Sequence, residues 1–383
     1  MQNDIARRDF LARLAAVTLG AATRSWAAQP AAPRFMYIGS FTDGGRGHGK
    51  GISVYSRPNG ASPWTLVQVF GDFPDPSFLC IDRQGRFLYS SHGEGTEATA
   101  YRIDQATGSI RPLNRQATHG RNGTHLAIDA TGRFLAVSNY ATGTLALLRI
   151  DPDGSLGPLS DLATLPGEPG PHRTQQTSSH PHQCPFDRTG RFVVVPDKGL
   201  DRTFVYRVDT SRGKLVPGHP PSVASRPGAA PRHVDFHPTA PFAYVINELD
   251  STMTAFHFDP EQGVFKPLQT ISTLPSTYTG NNSTAEVWVA PSGRFVYGSN
   301  RGHDSIVVFA IDRTTGLLTP VGWEPTQGRT PRYFGLDPSG THLYAANQNS
   351  DTVVIFRVDQ QAGTLSPTKE VVTVASPSTI VFR

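Results

Sequence analysis

One short pattern recurs along this chain and limits its fold more than any other feature: a turn ending in Gly-Arg-Phe, followed by a short apolar run. Clear copies are GRFLYSSH at Gly85–His92 and GRFVVVPDK at Gly190–Lys198. Aligned on the aromatic position, the copies fall roughly 50 residues apart, at Phe35, Phe87, Phe134, Phe192, Phe242, Phe295 and His342. A strand-based repeat of this length is typical of a propeller, in which every unit needs neighbours to cover its apolar faces.

Each repeat contains four pieces, which predict four antiparallel strands. In the third repeat these pieces are Thr124–Thr131, the Gly-Arg-Phe run Gly132–Tyr140, then Gly143–Asp151 and Asp153–Pro158. The alternating or wholly apolar runs are typical of strands. The proline that ends the fourth piece suits an outer edge strand, where no ladder donor is needed. The prediction is an all-β fold, a seven-bladed β-propeller with four antiparallel strands per blade.

The two ends of the repeat region complement each other. The chain enters the repeats at Arg34 with a second-strand pattern and ends with Ser378–Phe382, which has the pattern of an innermost strand. An open ring would leave two unpaired sheet edges, which proteins avoid. We therefore predict that the N- and C-terminal strands pair within one blade and close a single domain over residues 34–383.

The composition and charge argue against some classes of binding partner. Charged residues make up 17% of the chain, the formal net charge is +4, and the basic residues are scattered through the repeats. We therefore predict no nucleic-acid surface. No stretch after the N-terminal segment is long and apolar enough to span a bilayer. Cys80 and Cys184 occupy the same strand position in different repeats, so we predict buried thiols rather than a disulfide.

The N-terminal segment has the features of an export signal. Arg7 and Arg8 precede an Ala-rich apolar segment, Leu14–Ala22, and then a plausible cleavage site near Ser25–Ala28. We predict that residues 1–28 are a twin-arginine signal, recognised by the twin-arginine export machinery, and that the mature protein is periplasmic. The alternative is an ordinary basic helix start.

Charged and polar residues are concentrated at one predicted mouth of the channel. In antiparallel neighbours, the start of the innermost strand and the end of the second strand lie at the same face. The residues placed there are His180, His182, Arg232, His233, Asn247, Glu248, Glu286, Asn300 and Arg301. A histidine and a carboxylate near arginines can supply a general base and donors for a developing oxyanion. The pattern favours hydrolysis of an ester or lactone by water.

Each of these residues also has a structural interpretation. The histidines could lie in turns or be packed imidazoles, and Arg232 with Glu248 could form a buried ion pair between blades. The run Asn300–Gly302 could be a tight turn.

Other chemistries have weaker signals. The histidine pair has no third or fourth ligand at a recognisable spacing, so we predict neither a metal nor a cofactor. The Gly-rich run Asp43–Gly51 does not open a helix, which favours a turn over a phosphate loop. No Gly-x-Ser-x-Gly elbow is present, which argues against a serine nucleophile.

Several motifs, in this order, resemble those of the lactonase family of seven-bladed propellers. That family contains the bacterial propeller-type 6-phosphogluconolactonases and the fungal carboxymuconate-lactonizing enzyme. The motifs are His180-Pro181-His182, Pro231-Arg232-His233, Asn247-Glu248-Leu249, Ala285-Glu286 and Ser299–Ser305. The resemblance spans the chain from Arg34 to its end.

The resemblance implies a catalytic site of one histidine, two arginines and one glutamate: His182, Arg232, Arg301 and Glu248. It also implies a substrate-binding set around them, formed by His180, His233, Asn247, Glu286 and Asn300. This sequence departs from the family in its export signal and in a longer segment, Thr174–Ser179, before the histidine pair. Both departures favour an uncharged or carboxylated lactone over a sugar phosphate.

The resulting hypothesis is a monomeric, periplasmic lactone hydrolase, similar to 6-phosphogluconolactonase, that acts on a small-molecule lactone. Two alternatives remain open. One is a cycloisomerase that closes or opens a muconate-type lactone, in which the arginines would hold carboxylates. The other is a binding propeller without catalytic activity.

Overall fold

The computed structural model describes residues 33–43, 45–58 and 63–383. The predicted export signal, residues 1–28, lies outside the described residues. Seven antiparallel sheets form the blades of a propeller, and the innermost strands of neighbouring blades contact one another around a central channel. Within the described ranges, no helix has the length and apolar character needed to cross a membrane.

The strands follow the predicted repeat from blade to blade. Blade 1 contains β1 (Phe35–Ser40), β2 (Ile52–Ser56) and β3 (Thr65–Phe70), and blade 2 contains β4 (Pro76–Ile81), β5 (Phe87–His92), β6 (Glu97–Ile103) and β7 (Ile110–Ala117). Blade 3 contains β8 (Gly123–Ile128), β9 (Phe134–Asn139), β10 (Thr144–Ile150) and β11 (Leu156–Thr164), and blade 4 contains β12 (Phe192–Asp197), β13 (Arg202–Asp209) and β14 (Lys214–Ala224).

The remaining blades have the same order from the channel outwards. Blade 5 contains β15 (Pro231–Phe236), β16 (Phe242–Asn247), β17 (Thr252–Asp259) and β18 (Val264–Ser272), and blade 6 contains β19 (Ser283–Val289), β20 (Phe295–Arg301), β21 (Ser305–Ile311) and β22 (Leu318–Pro325). Blade 7 contains β23 (Pro331–Leu336), β24 (His342–Asn347), the short 3₁₀ helix Gln348–Ser350, β25 (Thr352–Val358) and β26 (Leu365–Thr373). The last strand, β27 (Pro377–Phe382), is the innermost strand of blade 1.

In blades 1 to 6, the phenylalanine of the repeated pattern packs on a glycine of the following blade, which explains why the pattern recurs. Gly108 lies in the hairpin between β6 and β7 at φ +76, and a Cβ built on it would come within 2.2 Å of the Phe35 ring. Tyr37 donates its hydroxyl to the Gly108 carbonyl at 2.8 Å. The equivalent glycine–phenylalanine pairs are Gly154–Phe87, Gly263–Phe192, Gly316–Phe242 and Gly363–Phe295. The sequence repeat therefore reflects the packing contact between neighbouring blades.

Ring closure follows the prediction from the chain ends. Strand β27 pairs antiparallel with β1, and the Arg383 carbonyl accepts hydrogen bonds from the Arg34 and Phe35 amides at 2.9 Å. Both cysteines are free thiols, Cys184 fully buried and Cys80 less so.

Blade 4 departs from the predicted four strands. Its innermost segment makes only isolated bridges, Pro181 to Asp197 and Phe186 to Val193. Proline has no amide hydrogen for a ladder, so Pro181 and Pro185 interrupt regular pairing. The interrupted segment carries His180 and His182, which places the irregular backbone at the candidate site.

Candidate active site

One mouth of the central channel is lined by two rings of side chains, and strand irregularities supply the inner ring. The innermost strands of blades 1, 2, 3, 5 and 7 have a register shift at their second residue. Such a bulge leaves a residue without a ladder partner and redirects its side chain. The residues concerned are Ser378, Ser77, Thr124, Arg232 and Arg332, and all five line the mouth. His182 takes the matching place in blade 4, after the Pro181 bridge.

The outer ring comes from residues at the exits of the second strands. These residues are Phe41, Tyr140, Lys198, Glu248, Arg301 and Gln348. The mouth encloses a cavity of about 260 Å³ that also contacts Arg46, Asn122, Thr124, His182 and Arg332. Arg232 lines a narrower recess beneath it, together with His182, His233 and Glu286. The four residues expected to be catalytic, His182, Arg232, Glu248 and Arg301, therefore lie at one mouth.

Glu248 is the negative centre of a cationic cluster. Its carboxylate lies 3.0 Å from Arg232 Nε, 2.8 Å from Lys198 Nζ and 3.3 Å from Arg301 Nη2. Burial raises the pKa of Glu248, but Arg301, Lys198 and Arg232 outweigh it and hold that pKa far below the usual range. Burial lowers the pKa of Arg232 to about 10, so its guanidinium is still charged at neutral pH.

His182, His233 and Glu286 form a continuous hydrogen-bonded chain. His182 Nδ1 lies 3.1 Å from His233 Nε2, and His233 Nδ1 lies 2.8 Å from Glu286 Oε1. Burial and the nearby Arg232 hold the pKa values of both histidines well below the usual range. Burial raises the pKa of Glu286 to about 8, because no cation contacts this carboxylate as closely as the cations around Glu248. Two glutamates at one mouth thus differ sharply in acidity.

Three residues expected to bind substrate line neither the cavity nor the recess. His180 stacks on the Tyr140 ring at a centroid distance of 4.5 Å, and its Nδ1 lies 3.0 Å from the Tyr140 carbonyl. The Asn247 amide donates to Thr252 and Thr254, while the Asn300 amide donates to the Thr273 carbonyl at 2.9 Å. Both asparagines are buried within their blades, where they hold the strand end that precedes Glu248 or Arg301.

The histidine pair also differs from a metal site. The rings of His180 and His182 have different partners, Tyr140 and His233 respectively. Among residues 33–43, 45–58 and 63–383, no three His, Cys, Asp or Glu side chains are arranged to hold a metal ion.

Phe41, Arg46 and Arg332 also line the mouth, although the sequence analysis assigned them no place in the site. Arg332 and Arg46 both lie over the Phe41 ring, at 5.1 and 5.7 Å from its centroid. In the described part of the chain, Arg332 has no carboxylate within ion-pair distance, whereas Arg46 pairs with Glu94 at 2.5 Å. Arg46 belongs to the Gly-rich run, which was expected to be only a turn. Arg332 follows Pro331 just as Arg232 follows Pro231, and this shared dipeptide was a signal for it.

Comparisons with known proteins agree with this architecture. A family model described as lactonase, 7-bladed beta-propeller, matches residues 35–382. The chain is 33% identical over 305 residues to a 6-phosphogluconolactonase of Bacillus subtilis (strain 168), covering 79% of this chain and 84% of the relative. A 6-phosphogluconolactonase of Formosa agariphila is 32% identical over 312 residues, covering 79% and 86%. A solved periplasmic gluconolactonase of Pseudomonas aeruginosa superimposes with a TM-score of 0.83 at 30% identity, covering 91% of this chain and 98% of that chain. The chain belongs to the lactonase family of seven-bladed β-propellers.

Proposed function

We propose that this protein is a lactone hydrolase, which opens the cyclic ester of a sugar lactone or a related lactone with an activated water molecule. The observation that carries the proposal is the position of His182 at the wall of a cationic cavity, in a chain whose relatives are named lactonases. His182 Nδ1 is hydrogen-bonded to His233, which leaves His182 Nε2 as the ring nitrogen available to the cavity.

His182 is a better general base than Glu248. A carboxylate whose pKa is far below the usual range has little affinity for a proton taken from water. Glu248 instead neutralises and holds Arg232, Arg301 and Lys198. We assign it the role of fixing these cations around the reacting carbonyl.

The oxyanion that develops on the attacked carbonyl is best stabilised by guanidinium groups at the cavity wall. Arg301 and Arg332 both line the cavity, and Arg332 has no carboxylate partner among the described residues. Arg232 lies deeper and donates to the Ala285 carbonyl at 2.5 Å, so its contribution is to the recess beside His182.

The substrate follows from the proposed compartment. A protein exported by the twin-arginine signal would meet lactones formed by periplasmic oxidation of sugars, where sugar phosphates are scarce. We therefore propose a sugar lactone without phosphate, or one bearing a carboxylate that Arg46 or Lys198 could bind.

Replacing Arg7 and Arg8 with Lys should retain the protein in the cytoplasm, as measured by fractionation. An unchanged periplasmic fraction would exclude this export route.

Hydrolysis can be tested directly by titrating released acid in a pH-stat. The panel contains gluconolactone, its 6-phosphate and an aromatic lactone, with the wild-type protein and His182→Ala. We expect turnover of at least one lactone and a decrease on the order of a hundredfold or more in the variant. Absence of wild-type turnover across the panel would refute the proposal.

A second candidate, lactone formation from an unsaturated dicarboxylate, is favoured by the guanidinium groups of Arg46, Arg301 and Arg332 around one cavity. These groups could hold two carboxylates. Loss of the ultraviolet absorbance of a muconate-type acid, without hydrolysis of any lactone, would select this reaction instead.

A further inference from the structure

This inference rests on the proposed lactone hydrolysis and concerns two residues first expected to bind substrate. We propose that Glu286 acts through His233 on His182: it fixes which nitrogen of His182 carries the proton, and it stores the proton that His182 takes from water. His182 would then be the catalytic base, while His233 and Glu286 are positioning residues that never touch the lactone.

The geometry provides a single path. The three side chains are buried, and each link joins two ring or carboxylate atoms at hydrogen-bond distance, 3.1 Å and 2.8 Å. A neutral imidazole has one donor nitrogen and one acceptor nitrogen. Once the state of Glu286 is fixed, the state of both histidines follows.

An ionised Glu286 makes His182 a base. The carboxylate accepts from His233 Nδ1, so His233 Nε2 is an acceptor and receives the proton of His182 Nδ1. The Nε2 of His182 then presents a lone pair to the cavity. With Glu286 protonated, every bond reverses its direction, and His182 Nε2–H becomes a donor.

The two states are the two halves of a hydrolysis cycle. As water oxygen bonds to the lactone carbonyl, its proton goes to His182 Nε2, the Nδ1 proton moves to His233, and the His233 Nδ1 proton moves to Glu286. When the tetrahedral intermediate collapses, the ring C–O bond breaks and the alkoxide takes a proton from His182 Nε2. The relay then runs backwards, and Glu286 is again ionised.

The local charges favour this storage. An imidazolium at His182 would lie near Arg232, Arg332 and Lys198, which oppose its charge. A proton on Glu286 instead leaves both histidines neutral, in agreement with the raised pKa of that carboxyl, about 8. The titratable or charged groups that surround the relay are His125, Tyr140, Lys198, Arg232, Asp235, Glu248, Arg301, Arg332 and Tyr333.

Glu286 also borders a second cavity, away from the catalytic mouth. It lines both the recess beside His182 and a cavity of about 1110 Å³ at the opposite end of the channel. That second cavity is bordered by the turns between innermost and second strands, including Asp129–Arg133. Water in it could reset Glu286 while a lactone covers the catalytic mouth.

The test compares Glu286→Gln with Asp235→Asn in the full chain. Asp235 is a matched control, because it is another channel carboxylate with a pKa raised by burial, and it lines the same opposite cavity outside the relay. Both variants are checked by thermal unfolding. We expect Glu286→Gln to lower kcat on the order of a hundredfold with KM within about twofold, and Asp235→Asn to retain wild-type kcat.

A spectroscopic readout tests the tautomer without any substrate. In protein labelled with ¹⁵N-histidine, His182 Nε2 should change from a protonated to an unprotonated shift as pH rises through about 8. This transition should be absent in Glu286→Gln. A His182 signal that titrates identically in both proteins would overturn the relay, as would a Glu286→Gln enzyme with wild-type kcat. A wild-type protein that hydrolyses no lactone, yet shows the Glu286-dependent transition, would refute the hydrolase proposal and leave the tautomer control standing.

Discussion

Glu248 and Glu286 are buried at the same mouth, yet their environments shift their acidity in opposite directions. Three cations contact Glu248, whereas the titratable side chain that contacts Glu286 is a neutral histidine, His233. The sign of each shift is set by whether cations compensate the cost of burial. The same difference separates their roles, one holding cations in place and the other exchanging a proton.

The raised pKa of Glu286 predicts that this residue destabilises the fold at alkaline pH. Between its ordinary value of 4.5 and about 8, the native protein holds a proton that the unfolded chain has lost, so stability falls as pH rises through this window. Glu286→Gln removes the effect. From pH 5 to pH 9, the free energy of unfolding of the variant should gain on the order of 3 kcal/mol relative to wild type, measured by urea denaturation. A difference independent of pH would contradict it.

Glu248→Gln, in contrast, should destabilise the fold at neutral pH. It leaves Lys198, Arg232 and Arg301 close together without their carboxylate, and breaking a buried ion pair in this way costs about 3 kcal/mol or more. Urea unfolding at pH 7 measures the loss. Glu261→Gln is the matched control, because Glu261 pairs with Arg191 on the exposed surface, where ion pairs contribute little. Equal stability of the two variants would show that the Glu248 carboxylate does not stabilise the fold by neutralising these cations.

At the scale of elements, the glycine of each outer hairpin and the phenylalanine of the preceding blade act as one unit. Gly316 lies at φ +74, and a Cβ on it would come within 2.5 Å of Phe242. Gly132 has a similar φ, +71, with no atom within 4 Å of its Cβ position. These two glycines separate the cost of the backbone conformation from the cost of lost contact space.

Gly132→Ala should therefore cost only the conformational term, about 1 kcal/mol. Gly316→Ala adds a clash with a buried ring and should cost about 3 kcal/mol, because overpacking forces neighbouring side chains to shift. The free energies of unfolding of the two variants, measured in the same urea series, give the difference directly. Similar losses in both would mean that the ring moves away freely and does not join the blades.

This contact explains which features the sequence could predict. A side chain that packs on an equivalent glycine in blade after blade leaves a periodic pattern, so the blade count followed from Phe35 and its equivalents. Ring closure followed from the strand patterns at the two ends of the repeat region. The bulged residues also left a signal, since proline precedes His182, Arg232 and Arg332. Arg332 shares the Pro-Arg dipeptide of Arg232 but is followed by Tyr333 and not by a histidine, so its signal was weaker.

Other parts of the mouth had no periodic signal. Arg46 reaches the cavity from a loop, and the direction of a loop is set by tertiary contacts such as the bond from Gln348 to the Arg46 carbonyl. Asn247 and Asn300 were chosen for their position beside charged residues. Asn139, Asn300 and Asn347 each donate to a backbone carbonyl, and Asn247 donates to threonine hydroxyls of the next strand, which indicates a role in holding the strand end.

Closure of the propeller ring depends on a strand from each end of the described domain. Strand β27 buries Ile380 against blades 1 and 7, and its backbone completes the sheet through β1. Without it, β1 would be exposed as an unpaired edge facing the channel. We therefore expect the ring to require the pairing of β1 with β27. The position of the chain termini should not matter for stability.

A circular permutant separates these two requirements. The Arg383 carbonyl and the Arg34 amide are 2.9 Å apart, so a short Gly-Ser linker can join the ends, with new termini between Ser211 and Arg212 in an exposed hairpin. We expect this permutant to unfold cooperatively at a temperature close to that of the uncut domain, because every blade keeps its strands. A linear chain ending at Val374 lacks β27 and should lose cooperative unfolding, as followed by calorimetry. A truncated chain as stable as the permutant would show that six complete blades hold the ring and that the terminal strand is dispensable.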